Sequence, residues 1–201
     1  MIIDLLSAVL GNSIKLYALM TPPAVLSAFL GYTRHYTRAE KRKVALKTPL
    51  AIFLLGSALY LWGANIFELF GFTLDAFRIG SGVLLMLTAI ALMRDDGETE
   101  HEHIEGDISI VPLAIPLGMG PASIGAVMVM GAQATTTEKT LIGVFSLFLA
   151  ALAMFLLLRI ADMAGRILGA TGIAVLAKLT GLILAAIAAQ VIFTGIKGFL
   201  N

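Results

Sequence analysis

Charged positions along this chain fall in clusters, and long uncharged runs separate them at residues 16–33, 48–67, 79–93, 108–137, 140–158 and 179–196. A helix needs roughly 20 mostly apolar residues to cross the hydrocarbon core of a bilayer. Five of the runs reach that length directly or with flanking residues, and the third does so if it begins near Ala76. The runs are too long, and too poor in alternation, for the strands of a closed barrel. The pattern therefore predicts an all-α membrane protein with six transmembrane helices. The first is not expected to be a removable signal peptide, because Asp4 stands where a basic leader would be and the apolar stretch is too long.

Two of the predicted spans carry helix breakers at their middle: Met20-Thr21-Pro22-Pro23-Ala24 in span 1, and Gly118-Met119-Gly120-Pro121-Ala122-Ser123 in span 4. Proline removes a backbone donor and clashes with the carbonyl one turn back, so both spans should be interrupted, not merely bent. Adding 99 to a residue number maps Met20 onto Met119, Pro22 onto Pro121, Gly82 onto Gly181, Leu85 onto Leu184 and Ala89 onto Ala188. This offset predicts a single transmembrane domain, 1–201, made of repeat one at 1–94, a linker at 95–107 and repeat two at 108–201. Each repeat has an odd number of spans, so the second enters the membrane from the opposite side. The expected architecture is two inverted three-helix repeats with discontinuous helices 1 and 4, an arrangement found in secondary transporters.

Composition narrows the function classes. Hydrophobic residues make up 59% of the 201 positions and charged ones only 13%, too few to cover the surface of a soluble enzyme. The net charge of +1 predicts no nucleic-acid partner. Cysteine is absent, which removes thiolate metal sites and thiol nucleophiles. No enzyme activity, catalytic residue, cofactor or metal is expected. Lys and Arg concentrate in three odd-numbered loops: Arg34, Arg38, Lys41, Arg42, Lys43 and Lys47 in the first, Arg94 in the next, and Arg159, Arg166 and Lys178 in the last. These loops should face the cytoplasm, with both termini outside. Tyr32, Tyr36, Tyr60 and Trp62 stand near predicted span ends, where interfacial aromatics are expected.

The breaks suggest a binding chemistry. An interrupted helix exposes free N–H groups where it restarts and free carbonyls where it stops. Donors are expected near Pro22 and Pro121, and acceptors near Met20 and Gly118. A zwitterion suits such a pocket, and the small residues around it, Ala24, Ser27, Gly118, Gly120, Ala122, Ser123 and Gly125, leave room only for a small side chain. The expected substrate-binding residues are Thr21, Pro22, Pro23, Ala24, Gly118, Met119, Gly120, Pro121, Ala122 and Ser123.

Other polar residues are weaker candidates. No carboxylate lies within a predicted span, so a coupling ion, H+ or Na+, would use the substrate, backbone carbonyls or a span-end acid such as Asp75. Lys15 precedes the first break by six residues and is expected to snorkel toward the interface. Gln133 and Gln190 are expected to bond across helices. The acidic stretch 95–107 contains His101 and His103 and reads as a hydrophilic linker.

The segments at 70–93 (FGFTLDAFRIGSGVLLMLTAIALM), 107–129 (DISIVPLAIPLGMGPASIGAVMV) and 178–196 (KLTGLILAAIAAQVIFTGI) resemble the MarC family of integral membrane proteins, above all through the VPLAIPL…GP motif from Val111 to Pro121. The resemblance implies a six-helix transporter of small neutral amino acids, with weight on Pro22, Gly120, Pro121 and Ser123. The first break departs from the family's usual Asp-Pro or Asn-Pro followed by Gly-Asn: here it reads Thr21-Pro22-Pro23-Ala24-Val25. The reading is a secondary transporter of glycine, alanine or serine across the cytoplasmic membrane by alternating access, with the lipid bilayer as its surroundings. The alternatives are a transporter of another small solute or cation, and a non-transporting structural or regulatory membrane subunit.

Overall fold

The computed structural model describes residues 2–71, 73–94 and 107–200. Helices α1 (Ile2–Leu19) and α2 (Pro22–Tyr32) are followed by α3 (Arg38–Phe70) and α4 (Leu74–Met93). A wide-turned segment, Ser109–Gly118, leads into α5 (Pro121–Ala132), then α6 (Thr137–Arg159) and α7 (Ala161–Leu200). There is no strand among the described residues. Three stretches are long and apolar enough to cross a membrane: Arg38–Gly63 of α3, Thr137–Arg159, and Thr171–Leu200 of α7. α1 and α2, bent by 49° at their junction, supply a fourth if the pair is one span. Leu54, Leu141, Phe145, Leu182 and Phe193 are exposed on the outer faces of these helices, the inverse of a soluble surface and the arrangement that lipid favours.

The element boundaries follow the offset seen in the sequence. α2 and α5 start at Pro22 and Pro121, and α3 and α6 start at Arg38 and Thr137, both pairs 99 residues apart. The latter two starts are capped alike. Thr37 and Glu40 form a reciprocal capping box at α3, and the Thr136 hydroxyl accepts from the Lys139 amide at α6. α3 runs unbroken into the Gly71 turn (φ 69°), whereas its counterpart is divided between α6 and the first part of α7. α7 itself is broken at Gly169 (φ 61°, ψ 178°), a conformation open essentially to glycine alone.

Two clusters of buried side chains hold the helices together. The larger surrounds the α1–α2 and 118–120 breaks and includes Met20, Phe29, Ile52, Leu113, Met119 and Leu147. The smaller joins α4 to α7 through Leu85, Ala89, Leu184 and Ala188, two pairs at the 99-residue offset, with Leu19 of α1 closing the cluster. Small residues set the closest approaches. A Cβ at Gly63 would stand 3.0 Å from Met128 Cα, and one at Gly131 would collide with the Tyr60 carbonyl, so α3 and α5 cross backbone to backbone.

Several expectations are corrected. The basic cluster from Arg38 to Lys47 is not loop but the opening turns of α3, nucleated by the Thr37–Glu40 box, and Arg166 and Lys178 lie in α7. α1 begins at Ile2, so the first helix takes in residues that flank the uncharged run at 16–33, Asp4 and Lys15 among them. Tyr60 packs inside the protein and not on its outer surface. It is buried, its ring fills the gap left by Gly143, and its hydroxyl donates to the Lys139 carbonyl at 3.2 Å.

Candidate functional site at the crossing of two breaks

The first break follows from consecutive prolines. The ring of Pro22 disfavours right-handed helix at the preceding residue, and Thr21 leaves it, not for the extended region usual before proline but for the left-handed one (φ 46°, ψ 58°). Pro22 and Pro23 then occupy the first turn of α2, where their missing donors cost nothing. For a β-branched residue this backbone is strained by about 1–2 kcal/mol. The Thr21 hydroxyl offsets part of that cost by donating to the Leu117 carbonyl at 3.1 Å.

The second break is longer and has the same origin. Val111 (φ −123°, ψ 119°) and Ile115 (φ −131°, ψ 125°) are extended, and each stands immediately before a proline, Pro112 or Pro116. The turns between them widen, with Leu113 N–H donating to Ile108 O at 3.2 Å and Met119 N–H to Ala114 O at 2.7 Å. Met119 leaves the helical region and Gly120 is extended (φ −76°, ψ 171°) before Pro121 opens α5.

These breaks meet. The Ser123 hydroxyl on α5 donates to the Leu19 carbonyl at the end of α1, at 2.7 Å, as Thr21 does in the opposite sense to Leu117. Met20 and Met119, 99 residues apart, are both wholly buried beside them. Ile52 of α3 covers Gly118, where an added Cβ would lie 2.5 Å from Ile52 Cδ1. Of the expected site residues, Thr21, Pro22, Gly118, Met119 and Ser123 are buried, and Pro23, Ala24 and Gly120 are half-buried. Pro121 and Ala122 form the start of α5, their side chains outside the described set. Ser27 is exposed and turned away.

The expected supply of bare backbone groups is only partly present. At α2 the two prolines have no N–H, and the Ala24 and Val25 amides both bond to Thr21 O, at 3.0 and 3.1 Å, so no donor is left over there. At α5 the Ile124 amide bonds to Gly120 O, while the Ser123 amide has no partner among the described residues. The carbonyls one residue before Met20 and Gly118, those of Leu19 and Leu117, are capped by the two hydroxyls. In this conformation the crossing is closed over its own polar groups.

The other polar candidates stand apart from it. Lys15 is exposed on α1. Asp75 pairs with Arg78 on α4, its carboxylate against Gly198 of α7. Gln190 donates to Thr194 of its own helix, at 3.5 Å, and Gln133 is the exposed C-cap of α5; among the described residues neither bonds across helices. Of the 95–107 linker only Asp107 is described, and His101 and His103 lie outside the described residues. Asp107 joins the start of the 109–118 segment to α3: it accepts from Lys47 Nζ at 2.6 Å and from the Ser109 amide at 3.1 Å. The Lys47 hydrogen bond, with help from Ser109, holds its carboxyl at about 2, below the usual 3.8. The sequence reading missed Ile52 and the carbonyls of Leu19 and Leu117, although the x-Pro steps at 111–112 and 115–116 did signal the irregular backbone of the second break.

The model of the MarC family of integral membrane proteins matches residues 6–200. The chain is 34% identical to the UPF0056 membrane protein YhcE of Escherichia coli, over 92% of this chain and 90% of the relative. It is 33% identical to a UPF0056 membrane protein of Methanocaldococcus jannaschii, over 92% and 94%, and 31% identical to one of Aquifex aeolicus, over 94% and 92%. No solved structure matches it. With the family model spanning nearly the whole chain and relatives of the same length above 30% identity, the protein is a member of the MarC family of integral membrane proteins.

Proposed function

We propose that the protein is a secondary transporter of small neutral amino acids, glycine, alanine and serine, across the cytoplasmic membrane by alternating access. In this reading the chain is two inverted repeats of three spans, with both termini outside, and the crossing of the breaks is the substrate site. The observation that carries it is the reciprocal pair of hydroxyl–carbonyl bonds, Thr21 to Leu117 and Ser123 to Leu19. Each hydroxyl sits on a carbonyl at the end of the opposite half-helix, where an ammonium group would be favoured by the negative end of the helix dipole. The substrate ammonium displaces the hydroxyls, and its carboxylate lies on the N-terminus of α5, where the Ser123 amide is open to it. The closed crossing is then the substrate-free state, and rocking of the repeats opens it to one side at a time. Buried Met20, Met119 and Ile52 limit the side chain that can enter.

Coupling to H+ or Na+ belongs to the same proposal. Asp75, the span-end acid considered for coupling, is engaged by Arg78, which favours coupling through the substrate or through backbone carbonyls. Counterflow in liposomes tests the reading: glycine, alanine and serine should exchange, and leucine and phenylalanine should not. Equal uptake of leucine would refute the size argument. A subunit that transports nothing would show no exchange and no thermal stabilisation by glycine.

A further inference from the structure

Between the C-terminal part of α3, the first half of α4 and α5 lies an open cleft of about 780 Å³, lined in part by Leu59, Ile66, Phe77, Gly80, Leu84 and Met128. We propose that this cleft is a binding site for one acyl chain of a bilayer phospholipid. The inference rests on the membrane setting of the family, not on the transport reading.

The chemistry of the lining selects the ligand. The one polar side chain on it is the Ser81 hydroxyl, which already donates to the Arg78 carbonyl at 3.2 Å. A zwitterion or a sugar would be left with unpaired polar groups, which burial penalises. A hydrocarbon chain loses nothing.

The placement selects the source. One end of the cleft is formed by Phe70 and Ala76, beside the α3–α4 connection. Leu84 lies ten residues beyond the start of α4, a rise of about 15 Å, which is half the roughly 30 Å hydrocarbon core. The opposite end is closed by Ile124, the neighbour of Ser123 in the crossing. The length of the cleft matches the reach of one leaflet's chain, and Phe70 and Leu84, both on the lining, are exposed. Its deep end touches the first turn of α5, so an inserted chain would brace the half-helix that carries Ser123.

Gly80 offers a clean test, because a Cβ there meets nothing within 4 Å. Gly80→Phe fills the cleft from within, Ala76→Leu narrows its outer end, and Gly11→Phe adds the same bulk at an open position on α1. Full-length protein is purified in mild detergent and its retained phospholipid is counted by native mass spectrometry. Wild type and Gly11→Phe should keep one tightly held phospholipid, and Gly80→Phe and Ala76→Leu should retain it about tenfold less often. After delipidation, phosphatidylglycerol with 16-carbon chains should raise the melting temperature of wild type but not of the two cleft variants, and glycerophosphoglycerol, which lacks the chains, should raise none. The proposal is overturned if wild type retains no phospholipid, if both cleft variants retain it as wild type does, or if the headgroup alone stabilises. A loss of dimer in the cleft variants with lipid count unchanged would also overturn it, by making the cleft a contact between copies.

Discussion

The Thr21 hydroxyl donates to the Leu117 carbonyl across 96 positions of sequence, tying the strained residue of one broken helix to the last turn of the other. Strain and hydrogen bond oppose each other at this residue. Thr21→Gly removes both and should change stability by less than about 0.5 kcal/mol, whereas Thr21→Val keeps the strain, loses the bond, and should cost about 1 kcal/mol. Thermal unfolding in detergent compares the two. Equal losses would mean that the left-handed backbone contributes nothing.

Gly118 is covered by Ile52, with the Leu113 carbonyl 3.1 Å from where its Cβ would stand. Gly118→Ala should destabilise by about 1–3 kcal/mol. Ile52→Val removes the Cδ1 atom responsible for the closest contact and should recover part of that loss in the double variant. Additive effects in a double-mutant cycle would show that the two residues do not touch.

Tyr60 separates two kinds of glycine. A Cβ at Gly143 meets the Tyr60 ring, and one at Gly131 meets its backbone carbonyl. Both glycine-to-alanine variants should destabilise, but only Gly143→Ala should be rescued by Tyr60→Leu, because shortening a side chain leaves the carbonyl in place. Melting temperatures of the two double variants decide this.

The fold was readable in the sequence where proline and charge speak locally. The breaks at Thr21 and Gly118–Gly120 follow from the Pro22–Pro23 and Gly-Pro steps, and the 99-residue offset marks the starts of α2, α5, α3 and α6. The basic residues from Arg38 to Lys47 were misplaced in a loop, because the pattern of apolar runs cannot distinguish a loop from a helix that projects beyond the bilayer. The Thr37–Glu40 box was the available signal. At the site, residue types near each break were legible, but their pairing was not. That Thr21 and Ser123 cap each other's half-helix depends on how the segments cross, and no spacing along one segment encodes it.

The Lys47–Asp107 pair links α3 to the start of the 109–118 segment. The folded Asp107 carboxyl titrates at about 2, below its usual 3.8. Its contribution is therefore complete above about pH 4 and is lost as pH falls toward 2. The side chain is 42% exposed, so solvent screening limits the effect to a few tenths of a kcal/mol. Asp107→Asn should remove that part of the acid dependence, measured as melting temperature against pH. An unchanged slope would assign it to other carboxylates.

The account stands on the crossing acting as one binding site. Counterflow of radiolabelled glycine into proteoliposomes tests it most directly, with wild type, Ser123→Ala and Gly118→Val compared, and folding checked by size-exclusion profile. The prediction is glycine exchange by wild type, exchange reduced at least tenfold by Gly118→Val, and a raised half-saturation concentration for Ser123→Ala. Exchange unaltered in both variants, or none in a well-folded wild type for any small neutral amino acid, would contradict it.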